Sequence, residues 1–320
     1  MSLLDASASG VYVISATPFT DSGALDWPST DRLVDHYCAS GVAGITVLGV
    51  MGEAPKLSRE ESEAFVARVL KRATVPVVVG VSQPGLRLLG DFARRVMDLG
   101  AAGVMVAAAA GLRTDEQAYA YFAAVAAELG DAVPVVLQDY PPLNGVFLSA
   151  TLIDRLFSEF PSFVMLKHED VPGLRKLSQL RAAEARGARR RISILVGTGA
   201  LYLPQELARG ADGAMSGFAF PEMLVEVCRR FRAGDRDGAE DLFDAYLPAI
   251  RHEQQPGIGL ALRKETLRRR GLIASARTRA PGPSLDAEDH AELTRMLDRL
   301  ERARRRLDEP APAQLRRVSG

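Results

Sequence analysis

The sequence predicts an α/β protein, a (β/α)8 TIM barrel with a C-terminal helical extension. Eight short apolar runs recur along the 320 residues, and a longer stretch of helical period follows each of them. The runs are rich in Val and Ile and too continuous for half-exposed strands, as expected of parallel strands buried on both faces. The turn after the first run, Thr17-Pro-Phe-Thr-Asp-Ser-Gly23, lacks the G-x-G-x-x-G spacing that the competing doubly wound sheet would place there.

The eight predicted strands are Val11–Phe19, Gly44–Val50, Val75–Val81, Gly103–Ala108, Val133–Tyr140, Phe163–Lys167, Ile192–Gly197 and Gly213–Ser216. Between them, Ser58-Arg-Glu-Glu61 has capping-box spacing ahead of Ala64, Val66, Val69 and Leu70. Thr114-Asp-Glu-Gln117 opens another helix, and Gly41, Gly100, Gly130 and Gly210 stand where helices should stop. Met223–Arg232 reads as the eighth helix of the barrel. Asp237–His252, Gly259–Arg270 and Asp286–Arg304 then read as three helices without strands. These patterns divide the chain into a barrel over 1–234, a helical extension over 235–305 and a flexible tail over 306–320, rich in Arg, Pro and Ala.

Composition narrows the function. Forty Lys and Arg balance forty Asp and Glu, which gives no reason to expect a nucleic-acid or anionic-membrane partner. Cys38 and Cys228 form neither a metal-type spacing nor a disulfide framework, and no apolar run approaches the roughly 18 residues of a membrane span. The expected location is cytoplasmic. No His, Asp and Glu cluster has metal-ligand spacing, so neither a metal nor a cofactor is expected. The arginine runs 189–191 and 268–270 read as solvated faces. Lysine occurs only at 56, 71, 167, 176 and 264; every other basic residue is arginine.

Active groups of such a barrel sit at the C-terminal ends of its strands. Lys167 ends the apolar run Phe163-Val-Met-Leu166. Partial desolvation there disfavours the ammonium and makes the amine a nucleophile toward carbonyls. Position alone equally allows an ion pair with Glu169 or Asp170. Lys56 is a rival in the loop after the second strand, beside the Ser58 cap and expected to be solvated. Lys71, Lys176 and Lys264 are expected on helix surfaces.

The order of features resembles the dihydrodipicolinate synthase/N-acetylneuraminate lyase family of Schiff-base lyases. The resemblance runs from about Gly10 to Gly271. It rests on Thr17-Pro-Phe19, Gly49-x-x-Gly-Glu-Ala-Pro55 followed by Leu57-Ser58, Pro141, Leu166-Lys167, Gly197 and Gly210-Ala-x-Gly213. It implies that Lys167 forms an imine with a 2-oxo acid, with Val50, Met51, Gly52, Gln138, Gly197 and Met215 around the substrate. It also implies a homotetramer built as a dimer of dimers.

The departures are equally specific. Val50 and Met51 replace two threonines of the family motif, one of which serves a proton relay. Gln138 replaces the acid/base tyrosine, and Leu143 replaces the arginine that meets a substrate carboxylate in synthases. Ala107–Ala110 replaces the tyrosines usual after the fourth strand. Thr198 and Gly199 replace acidic residues of the sialic-acid branch. These changes argue against dihydrodipicolinate synthesis and sialic acid cleavage. What remains is retro-aldol cleavage to pyruvate and an aldehyde, dehydration of a 3-deoxy-2-oxo sugar acid, or binding of oxo acids without turnover. Tyr140 shares a strand face with Gln138 and is the expected acid/base group, with a phenol that nearby positive charge would ionise more easily. Packing against Pro141 and Pro142 is its other reading. Asp139 and Glu169 are expected on the opposite side unless the strand ends curl. His168 is read as solvated or structural, and Glu53 as a brace for the second strand's loop through backbone N–H groups.

Overall fold

The computed structural model describes residues 2–171 and 173–308. Eight strands form it: β1 (Gly10–Ile14), β2 (Gly44–Val47), β3 (Val77–Gly80), β4 (Gly103–Ala107), β5 (Val135–Asp139), β6 (Phe163–His168), β7 (Ser193–Val196) and β8 (Gly213–Ser216). All pair in parallel in chain order, and β1 pairs with β8, closing the barrel. The chain is therefore a (β/α)8 TIM barrel, and helices follow its last strand.

The period of two sorts every strand into an inner and an outer face. Tyr12, Ile14, Val78, Met105, Val136, Met165, Leu195 and Met215 fill the barrel. Residues next to them, such as Val13, Val79, Val104, Leu166 and Ile194, pack outward against the helices. On β6 this puts Met165 and Lys167 inside, and Leu166 and His168 outside. The register sets Lys167 beside Gln138 of β5 and Leu195 of β7.

Local signals in the sequence set several boundaries. Ser58 and Glu61 form the full capping box, and Thr114 caps the helix Asp115–Leu129 by accepting from Gln117 N at 3.2 Å. Six strands are shorter at their C-terminal ends than the apolar runs suggest. β1 stops at Ile14 rather than Phe19, and β2 at Val47 rather than Val50. The reason is a change of backbone at the rim: Leu48 takes φ 56, and one-turn 3-10 helices follow at Val50–Gly52 and Ala54–Lys56. A third, at Thr198–Ala200, follows β7.

After the helix Pro221–Arg232 come Arg236–Glu253, Gly259–Arg269 and Ala287–Asp308. The last helix carries residues 306–308, placed in the tail by composition; the rest of that tail, 309–320, lies outside the described residues. No helix of the described residues is long and apolar enough to cross a membrane. The arginine runs are not plain solvated faces. Arg189 is buried and donates to Asp154 and the Leu180 carbonyl, while Arg268, Arg269 and Arg270 pair with Glu265 and Glu222.

Candidate active site

Lys167 lies inside the barrel at its C-terminal rim, only 5% exposed. Its Nζ is 2.9 Å from Glu169 Oε2. The carboxylate is held on three sides. Gln138 Nε2 donates to Oε2 at 2.6 Å, and Thr198 N donates to Oε1 at 3.1 Å. Gly197 gives it room, since a Cβ there would lie 2.2 Å from Oε1.

Glu169 was expected on the far side of the strand, and the structure corrects this. Residues 167 and 169 share a face by the strand's own period, and Glu169 N still pairs with the Asp139 carbonyl, so the alternation continues past His168. Asp139 does point outward. There its Oδ2 meets Lys176 Nζ at 2.6 Å and His168 Nδ1 at 3.5 Å, and His168 Nε2 meets the Gly173 carbonyl at 3.0 Å. Burial works against protonation of His168, yet the Asp139 carboxylate and that carbonyl carry it above its ordinary value. His168 is structural and faces away from Lys167.

A cavity of about 80 Å³ opens at Lys167, and Ile14, Val50, Met51, Gln138, Tyr140, Lys167, Glu169 and Met215 line it. Its other wall comes from Thr198, Ser216 and Gly217 and from Gln254 and Arg263 of the C-terminal helices. Of the residues expected around the substrate, Val50, Met51, Gln138 and Met215 reach it. Gly52 and Gly197 do not line it: the Gly52 carbonyl accepts from Thr17 Oγ1 at 2.7 Å, and Gly197 stands behind Glu169. Tyr140 is half-buried in the wall. Burial and the Glu169 carboxylate push its phenol above the ordinary value, against the easier ionisation expected from the sequence. The half-buried phenol therefore stays protonated.

Arg263 is the residue that sequence reading missed. It brings a guanidinium to the wall of the Lys167 cavity. Its Nε donates to Glu253 Oε2 at 2.8 Å, both groups being buried. The signal was faint: Arg263 stands in Gly259–Arg269, where Ala261 to Leu267 are all buried.

The lysines separate as well. Lys264 is fully buried rather than on a surface, with Nζ 2.5 Å from Glu53 Oε1, and burial lowers it to about 8. Lys176 is likewise inside an ion-pair cluster with Asp139 and Asp170. Lys56 is partly buried and donates to Glu53 and the Arg279 carbonyl. Glu53 accepts from Arg279 N at 2.9 Å and from the two lysines, so it ties the loop to the C-terminal segment rather than bracing it through the loop's own N–H groups. Leu48, Glu53, Thr198 and Ala200 are the described non-glycine residues with positive φ. All lie in the turns after β2 and β7, where a strained backbone aims groups at the site.

The sequence matches the dihydrodipicolinate synthetase family over residues 7–300. The chain belongs to this family. Members of the family are lyases that bind small-molecule oxo acids, and the chain is an enzyme of this class. It is 31% identical to an L-2-keto-3-deoxyarabonate dehydratase of Azospirillum brasilense, over 91% of this chain and 94% of that one. It is 35% identical to a 4-hydroxy-tetrahydrodipicolinate synthase of Sorangium cellulosum, over 72% of this chain and 76% of that one. Among solved structures, a dihydrodipicolinate synthase from Rhodopseudomonas palustris has a TM-score of 0.92 and 48% identity, covering 93% of this chain and all of that one. A prophage protein of this family from E. coli K12, solved in complex with pyruvate, has a TM-score of 0.83 and 26% identity, covering 92% and 98%.

Proposed function

We propose that the chain is an imine-forming lyase of 2-oxo acids, with Lys167 as nucleophile and Glu169 as proton carrier. The observation that carries this reading is the 2.9 Å approach of Lys167 Nζ to Glu169 Oε2 inside the barrel, with an amide, Gln138, at the family's tyrosine position. Glu169 can take the proton that the ammonium must lose before it attacks the C2 ketone. The amine adds to the ketone, and the carbinolamine hydroxyl leaves as water with the proton held by Glu169, which gives an iminium and restores the carboxylate. C3 is two bonds from that nitrogen, within reach of the same carboxylate, which removes a C3 proton and leaves an enamine.

For the enamine the proposed course is dehydration. The C4 hydroxyl leaves as water with the proton that Glu169 carries, the electron pair of the enamine forming the C3–C4 double bond and restoring the iminium. Hydrolysis then frees Lys167 and an unsaturated 2-oxo acid. One carboxylate suffices for both transfers, and the dehydratase relative covers nearly the whole chain. Retro-aldol cleavage instead needs a base at the C4 hydroxyl. The Tyr140 phenol, held protonated, is poorly suited to that part. Synthesis of dihydrodipicolinate is disfavoured by Val50, Gln138 and Leu143, which replace the relay and the carboxylate-binding arginine of the resembled synthases.

Borohydride reduction with pyruvate, read by intact mass and peptide mapping, tests the imine. One adduct per chain on Lys167, absent in Lys167→Ala, is expected. An adduct on Lys56, or none, overturns the reading. Trapping without exchange of the pyruvate methyl protons would identify an oxo-acid binder that does not turn over.

A further inference from the structure

The rim of the barrel holds a second and larger cavity, about 400 Å³ against about 80 Å³ for the reactive one. Val50 and Gln138 belong to both walls. The reactive cavity lies toward β6–β8 and the C-terminal helices, where Glu169, Thr198, Gln254 and Arg263 are. The second lies toward β2–β5, and Leu48, Val50, Met105, Ala107, Leu143 and Leu260 line it.

Most of the hydrogen-bonding capacity of the polar side chains of that second wall is already used. Glu53 accepts from Lys56, Lys264 and Arg279 N, and Lys56 also donates to the Arg279 carbonyl. Ser82 Oγ accepts from Ala107 N at 2.9 Å, and the Gln138 amide donates to Glu169. Hydroxyl groups entering here would leave water for a wall with few side-chain partners to offer, which is costly. Methylene or aryl groups would be favoured. Val50 and Leu143 are about half exposed, 49% and 48%, so this apolar surface now faces solvent.

We infer that this cavity is a substrate subsite for an apolar tail, and that the enzyme's substrate is a 2-oxo acid with an alkyl or aryl group beyond C4. The inference rests on the imine reading for the reacting end. The C1–C3 portion lies at Lys167 and Glu169, and the tail crosses between Val50 and Gln138 into the cavity. This separates the chain from a dehydratase of polyhydroxylated acids by its remote specificity while keeping the chemistry at C2–C4.

The test is calorimetric titration of the wild-type protein with straight-chain 2-oxo acids from pyruvate to 2-oxooctanoate. A matched series of plain carboxylates, butyrate to octanoate, cannot form an imine and reads the subsite alone. Each methylene that enters the cavity should tighten binding about fourfold, the equivalent of ~0.8 kcal/mol. A 5,6-dihydroxylated analogue should bind at least about tenfold more weakly than its unsubstituted counterpart. Ala107→Phe, which fills the cavity, should flatten the length dependence, and Leu143→Asn at an exposed position should weaken it if the first variant does not fold. A flat series overturns the subsite, as would occur if a second copy of the chain filled the cavity. A dihydroxylated analogue that binds as well as the alkyl one overturns it too. Borohydride trapping alongside keeps the two claims apart. Length dependence in the carboxylates without any Lys167 adduct defeats the imine and supports the subsite; adducts without length dependence do the reverse.

Discussion

Replacing Glu169 by Gln removes a proton carrier with little change of shape. The carboxylate accepts from Thr198 N at 3.1 Å and from Gln138 Nε2 at 2.6 Å, and it stands 2.9 Å from Lys167 Nζ. A glutamine carbonyl can keep the bond to Thr198. Its NH2 then faces two donors, so the Gln138 amide must turn its oxygen inward. Imine formation should slow, because the ammonium loses its proton acceptor, but borohydride trapping should persist on long incubation, because the amine and its cavity remain. Proton transfer at C3 should not. Loss of a positioned general base typically removes ~10²–10⁴ in rate, or about 2.7–5.4 kcal/mol in barrier. The measurement needs no knowledge of the natural substrate: deuterium exchange into the pyruvate methyl group, followed by NMR, reads enamine formation directly. Breaking the buried pair also costs stability, on the order of 3–5 kcal/mol when one partner is removed. Circular dichroism should therefore accompany the assay, and Glu169→Asp, which keeps a carboxylate, should recover part of the exchange. Wild-type exchange in folded Glu169→Gln, with Lys167 still trapped, would refute the assignment and move the base to water or Tyr140.

Tyr140→Phe should spare borohydride trapping and leave turnover nearly unchanged, because Glu169 carries the proton to the leaving oxygen; a fall of about 10² would make the Tyr140 phenol that donor instead. Burial pushes the Glu206 carboxyl up to about 7, and its Oε2 has no partner. The folded state then binds more protons than the unfolded one between the ordinary glutamate value and about 7, so Glu206 lowers stability as pH rises through that window. Glu206→Gln should raise the urea midpoint at pH 7.5 and leave it unchanged near pH 4.5, with equal midpoints at both refuting the raised value. The family resemblance leads us to propose a homotetramer of two dimers, for which light scattering should give about four times the 34.5 kDa chain mass; a monomer mass at micromolar concentration would overturn it.

Much of this was legible in the sequence because it depends on local pattern. Buried parallel strands demand continuous Val and Ile runs, and capping boxes and terminal glycines mark the helices between them; a barrel follows from their number and alternation. Lys167 could be singled out because a lysine ending an apolar strand is chemically conspicuous. The lining positions Val50, Met51, Gln138 and Met215 are those that the family resemblance implies.

What the tertiary structure decided lies across elements. The sidedness of Glu169 depended on whether the β alternation outlasts His168, which the pairing of Glu169 N with the Asp139 carbonyl settles. Lys264 looked like a helix-surface lysine because its partner, Glu53, is 211 residues away. Arg263 reached the active site only because the extension folds back over the barrel mouth. The engagement of the polar groups around the second cavity is likewise a sum of contacts from β2, β4, β5 and the C-terminal segment. Sequence fixes the period of each strand, helix and cap, because those are set by neighbours within a few residues. Which charges meet, and which cavity they leave apolar, is set by packing between segments far apart in the chain.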